Sequence, residues 1–173
     1  MRIVSGLSAV ALLLGISFLQ LACGDANADD KKKAAKTESK APAQPTKPVK
    51  KTDEEWRKQL TPEQYYILRK HGTERAWGKA YEEFKKQGEG TYYCVGCDAE
   101  LFTSREKFDA RCGWPAFFDA SKHENVKTLR DFSAGMIRVE VRCNVCDGHL
   151  GHVFEGEGFN TPTDQRYCIN GKV

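Results

Sequence analysis

The residues best placed to do chemistry in this 173-residue chain are its seven cysteines: Cys23, Cys94, Cys97, Cys112, Cys143, Cys146 and Cys168. Four of them form two pairs of one spacing, Cys94-Val95-Gly96-Cys97 and Cys143-Asn144-Val145-Cys146. Two intervening residues let a tight turn present both thiolates to a tetrahedral ion, and two such turns complete a four-sulfur shell. A closed shell leaves zinc no open position, so the reading is one structural Zn2+ and not a catalytic ion. Disulfides, or a redox-active Cys-x-x-Cys, compete with it in an oxidising setting. The shared spacing in one small domain favours the metal. Forty-five residues separate Cys97 from Cys143, so the two turns must meet across a sheet.

Cys112 and Cys168 are left over, and a passive disulfide would account for them. Their neighbours suggest more. Cys112 precedes Gly113-Trp114-Pro115, a turn with an aromatic ring beside the sulfur. Cys168 lies between Arg166 and Asn170 on an expected strand, with a cation near enough to favour thiolate. His149-Leu150-Gly151-His152 adds two imidazoles that exchange protons near neutral pH. A Cys2His catalytic zinc site is another use for them.

The elements that must hold these groups begin at Thr52. Thr52-Asp53-Glu54-Glu55 and Thr61-Pro62-Glu63-Gln64 are both capping-box patterns, the second with Pro at the first helical position. The second helix is expected to run to about Lys70 and stop at Gly72. After Gly88 and Gly90 the texture changes to short strands: Thr91 to Cys94, Met136 to Arg142, His152 to Phe154 and Arg166 to Asn170. In Ile137-Arg138-Val139-Glu140-Val141-Arg142, the alternation predicts apolar residues on the core face and charged residues on the solvent face. The fold class is therefore mainly β: two antiparallel sheets with short N-terminal helices, stapled by zinc.

Upstream, Arg2 followed by the apolar stretch Ile3 to Leu21 reads as a signal peptide over residues 1–23. Leu21-Ala22-Cys23-Gly24 resembles a lipobox, although Gln20 stands where Leu is usual, and Ala26-Asn27-Ala28 offers a competing cleavage site. Either processing places the protein outside the cytoplasm, in the periplasm or cell envelope; processing at the lipobox would put a lipid on Cys23 as its one membrane attachment. Residues 24–52 are rich in Lys, Ala and Pro, hold no aromatic residue, and read as a solvated linker. Residues 1–52 carry nine basic groups against four acidic, whereas 53–173 carry eighteen against twenty. The foldable part is thus mildly acidic, which argues against nucleic acid as a partner.

Arg111 to Phe117, Arg138 to Phe154 and Arg166 to Asn170 together resemble the signature blocks of the methionine-R-sulfoxide reductase B family, and Glu54 to Tyr65 and Gly72 to Ala76 resemble its opening. The resemblance spans residues 53–171 and implies a reductase domain over 53–173. It implies that Cys168 attacks the sulfoxide while His152 or His149 protonates the leaving oxygen, and that Cys112 then closes a Cys112–Cys168 disulfide. A thioredoxin-like donor would reduce that disulfide. It also implies that Trp114 packs on the substrate methyl, that Asn170 and Arg166 orient the substrate or tune the thiolate, and that Cys94, Cys97, Cys143 and Cys146 hold the zinc. The expected substrates are oxidised proteins or peptides carrying methionine sulfoxide, and the enzyme is expected to be a monomer. The chain departs from the family pattern at Ala116 and Gly171, where Ser is frequent; neither is a reacting group.

Two other classes compete. A zinc-stabilised binding module on a tether, with Trp114, Phe117 and Phe118 as its surface, would need no role for Cys168. A disulfide oxidoreductase would place a reactive Cys-x-x-Cys in a βαβ pattern, and no such pattern surrounds Cys94 or Cys143.

Overall fold

Both capping boxes form. The computed structural model describes residues 2–4, 47–120 and 123–173, and in it Thr52 and Thr61 cap helices α1 (Asp53–Gln59) and α2 (Pro62–Lys70) through reciprocal side-chain and backbone hydrogen bonds. Helix α2 ends at His71, which adopts a left-handed conformation. A third helix, α3 (Lys79–Lys86), has Gly78 at its start and no side-chain cap, and so leaves no capping signature in the sequence.

Among the described residues, eight strands form two antiparallel sheets. Strands β1 (Arg2–Val4), β2 (Thr91–Tyr93) and β3 (Glu100–Thr103) form the smaller, in that order. The larger contains β4 (Ala116–Phe117), β5 (Val126–Asp131), β6 (Arg138–Cys143), β7 (His149–Glu155) and β8 (Gln165–Ile169), ordered β4-β8-β7-β6-β5. The mainly β, two-sheet expectation holds. Strand β1 falls within the segment read as a signal peptide; the rest of that segment, Cys23 included, and the linker as far as residue 46 lie outside the described residues. No described helix is long and apolar enough to cross a membrane.

Aromatic rings fill the space between the sheets. Phe102 of β3 stacks on Phe117 of β4 with centroids 4.4 Å apart, Tyr92 meets Phe117 edge-on at 5.0 Å, and Tyr167 of β8 lies 5.7 Å from Phe102. Phe117 is wholly buried, so it cannot belong to the recognition surface that the binding-module reading needs.

Pairing register decides what the other face of the large sheet carries. Ala116 pairs with Cys168, Cys168 with His152, His152 with Glu140, and Glu140 with Leu129. Partners opposite each other point the same way, so Cys168, His152 and Glu140 stand in one line across three strands.

The alternation read from sequence holds at Val141, which is wholly buried in the core, but the charged face of β6 is covered as well. Glu140 is buried, while Ile137 is 80% exposed and Val139 is exposed as well. The apolar alternation continues past the end of the core, and the charged residues are satisfied by partners that a period-two pattern does not reveal.

Leu68 of α2 is wedged against both Cys-x-x-Cys turns. A methyl group on Gly96 or Gly148 would come within 2.8 or 2.6 Å of its side chain. Leu68→Ala is expected to cost about 2–5 kcal/mol and to lower the denaturant midpoint, measured by urea unfolding, without a change in secondary structure.

Candidate active site

The two cysteine turns are built alike. Each first cysteine accepts a hydrogen bond from an aspartate four residues on, Asp98 or Asp147, and that aspartate adopts a left-handed conformation. Cys94 and Cys143 each also donate to a carbonyl one residue further along, Ala99 or Gly148, at 2.9 Å. The result gathers the four sulfurs, with Cys94 to Cys146 at 3.7 Å, Cys97 to Cys143 at 3.6 Å and all four within 4.8 Å of one another. Zinc bonded at about 2.3 Å in a tetrahedron places its sulfurs roughly 3.8 Å apart, so the donor set and its spacing fit that ion. Arg69 donates to the Cys146 carbonyl at 2.9 Å and pins this cluster to α2.

The remaining thiols also meet. Cys112 and Cys168 Sγ atoms are 3.8 Å apart, although 56 residues separate them. The hydrogen bond shared with Cys168 draws Cys112 down to about 6, helped by the nearby Arg166, while Cys168 is pushed up. Ionisation of such a pair belongs to both thiols: one proton leaves easily and the other is held. The resulting thiolate lies under the field of Arg166, whose guanidinium is clamped on Glu157 at 2.7 and 2.8 Å and rests over Phe154.

Cys168 lines a cavity of about 130 Å3 together with Thr73, Trp114, Arg138, Gly151, His152, Phe154 and Asn170. A larger hollow of about 640 Å3, lined by Tyr81, Phe84 and Lys107 among others, holds no cysteine or histidine. Cys112 does not line the small cavity, which leaves Cys168 as the thiol that a ligand there would meet.

The two histidines face the same side for a reason specific to β7. Residues three apart on a regular strand point to opposite faces. Here Gly151 pairs with Val141 but His149 with Arg142, so β7 carries one extra residue and the alternation resets. The rings of His149 and His152 consequently lie 5.5 Å apart. Gly151 is required at the bulge, because a Cβ there would stand 2.0 Å from the Cys168 carbonyl oxygen.

Each histidine is held by its own carboxylate. His152 Nε2 meets Asp131 at 2.9 Å, and Asp131 is fixed by Arg138 at 2.7 Å. His149 Nδ1 meets Glu140 at 2.6 Å, and its Nε2 is buried with no partner among the described residues. Burial pulls the His149 pKa down, against the opposing pull of Glu140. For Glu140, burial would raise the pKa, but hydrogen bonds from Arg142, His149 and His71 outweigh it and hold it at about 2.

Glu74 ties the cavity wall together. Its N–H donates to Asn170 Oδ1 at 2.9 Å, its carbonyl accepts from Trp114 Nε1 at 3.1 Å, and its buried carboxylate accepts the N–H groups of Gly171 and Lys172. Asn170 also donates to the Leu150 carbonyl at 2.9 Å. Its two ends are thus committed to backbone, although it borders the cavity. Glu74, Asp131, Arg138, Glu140 and His71 all escaped the sequence reading; the one clue was that β6 alternates charges directly before the histidine motif.

The sequence profile of the SelR domain matches residues 60–173. The chain belongs to the SelR family. A peptide methionine sulfoxide reductase B7 from Arabidopsis thaliana is 53% identical over 137 residues, covering 79% of this chain and 90% of its own. Peptide methionine sulfoxide reductases MsrB from Leifsonia xyli and Agrobacterium fabrum are 51% and 52% identical, each over 123 residues, covering 70% and 71% of this chain and 86% and 88% of theirs. The match to the SelR domain takes in every thiol and imidazole described above, together with Glu140.

The carboxylate of this SelR domain's β6 gives a pH-dependent prediction. Glu140 has a folded-state pKa below its ordinary 4.5, so the stability it contributes is present above that value and is lost as pH falls toward about 2. Glu140→Gln is expected to destabilise the protein at neutral pH, and the gap to wild type, followed by thermal unfolding, should close on acidification through that window.

Proposed function

We propose that this SelR-family protein reduces the R epimer of methionine sulfoxide in proteins, with Cys168 as nucleophile and Cys112 as resolving thiol. The observation that carries the reading is a pair of thiols at 3.8 Å, of which one faces a small cavity walled by an indole and an imidazole. The named activity of relatives at 51% and 53% identity supports the same reaction.

In the first step the Cys168 thiolate attacks the sulfoxide sulfur, and one proton is taken up. The substrate sulfur gains the two electrons that Cys168 loses, methionine departs, and the oxygen stays with its new proton as a Cys168 sulfenic acid. Cys112 then attacks that sulfur; the S–O bond breaks, a Cys112–Cys168 disulfide forms, and the oxygen leaves as water with the Cys112 proton. A thioredoxin-like dithiol protein restores both thiols by exchange. Around the reacting atoms, Trp114 walls the substrate methyl, Arg166 favours the thiolate, and His152 or His149 supplies the proton at the oxygen.

Cys94, Cys97, Cys143 and Cys146 would hold one structural Zn2+, whose chemistry is to tie the β2–β3 connection to the β6–β7 turn. We further propose that the protein is exported, through residues 1–23, and works as a monomer in the cell envelope.

Cys168→Ser is expected to abolish methionine formation from the R epimer, and Cys112→Ser to permit one stoichiometric turnover while blocking thioredoxin-driven recycling, in an epimer-resolved assay. A reduced wild type inactive on both epimers would end the enzyme reading. For the metal, one zinc per chain is expected by elemental analysis, and its removal by a chelator should lower the thermal midpoint.

A further inference from the structure

Beside the groups that the reductase reading uses lies one that it does not. His71, the left-handed cap at the end of α2, directs Nδ1 at Glu140 Oε1 from 2.8 Å. The same oxygen meets His149 Nδ1 at 2.6 Å. The three groups run from outside to inside: the side chains of His71, Glu140 and His149 are 51%, 8% and 2% exposed. The His71 and His149 rings stand 5.5 Å apart, and the His149 ring is in turn 5.5 Å from that of His152.

The reaction gives such a line a use. Each sulfoxide reduced takes up one proton at the leaving oxygen, and His149 is too buried to recover a lost proton directly from water. We propose that His71 is the outer port of a proton path, His71 to Glu140 to His149, that recharges the buried imidazole between turnovers. His71 takes a proton from solvent at its exposed edge and passes one through Nδ1 to the Glu140 carboxylate. Glu140 delivers to His149 Nδ1, and His149 releases a proton from Nε2, the nitrogen that has no partner among the described residues, to the leaving oxygen in the cavity that the neighbouring His152 lines. His71 is on this account a positioning and proton-supplying residue and touches no substrate.

The charged surroundings suit a relay. On β6, Arg142 binds the other oxygen of Glu140 at 2.8 Å and reaches Asp147, which also pairs with Lys127 of β5. On the far side of His149, His152 of β7 is bound to Asp131 of β5, itself held by Arg138, and Cys168 of β8 lies opposite His152. Arg142 fixes the carboxylate in place and leaves one oxygen to serve both imidazoles. The path rests on the reductase reading, because without an oxygen to protonate it has nothing to supply.

His71→Gln separates relay from scaffold, since an amide N–H can still bind Glu140 but cannot ferry protons. The measurement is multiple-turnover methionine formation by the full chain, with a small-molecule dithiol in excess, from N-acetyl-methionine sulfoxide amide, racemic at sulfur, in dilute buffer. The rate of His71→Gln is expected to fall about tenfold, with the half-saturating substrate concentration within about twofold of wild type. Added imidazole should restore the variant's rate toward the wild-type value in a saturable way and leave wild type unmoved. An unchanged rate in dilute buffer, or a loss that imidazole does not repair, overturns the relay while an active wild type keeps the reductase reading. A wild type inactive on the sulfoxide overturns both.

Discussion

Everything in the site depends on the register of one five-stranded sheet. A shift of a single residue between β7 and β8 would turn Cys168 to the opposite face from His152. Several features pin that register. The aromatic stack of Phe102, Phe117 and Tyr167 occupies the core face of β4 and β8, so slippage would expose these rings. Gly151 allows the close approach at the Cys168 carbonyl and fits only there. Glu74 ties the segment after β8 to the segment after α2 through backbone hydrogen bonds to Gly171 and Lys172.

Strand β6 shows where local pattern and tertiary structure part. Its alternation correctly signals a strand, and the strand forms over Arg138–Cys143. The face assignment holds at Val141, which is wholly buried, and fails at Glu140, because charge is read as a preference for solvent while this carboxylate finds partners inside the fold. His71 is 69 residues from Glu140, and no periodicity encodes that contact. Buried charges survive when every lone pair is satisfied, and Glu140 is bound by Arg142, His149 and His71 together.

Other elements follow the strength of their local signal. Helices α1 and α2 are legible because both carry a complete capping box. Helix α3 begins at an uncapped glycine, β4 has two residues, and β5 is a largely exposed edge strand. The cysteine groups were legible from spacing and neighbours, and the structure brings together four and two as those neighbours imply. The histidine pair was legible as a motif but not as a geometry, since its shared face comes from a bulge that residue types alone do not announce.

The grouping of thiols has a combinatorial consequence. Six cysteines are described as free thiols, and six can in principle join into disulfides in more than a dozen ways. The two groups are interleaved along the chain, with Cys112 falling between the two turns and Cys168 beyond both, so sequence proximity does not protect against wrong partners. Were a metal to hold four of them, a single pairing among the six would remain open, that of Cys112 with Cys168. Occupancy of the four-thiol cluster would thereby decide which oxidised form these six thiols can reach.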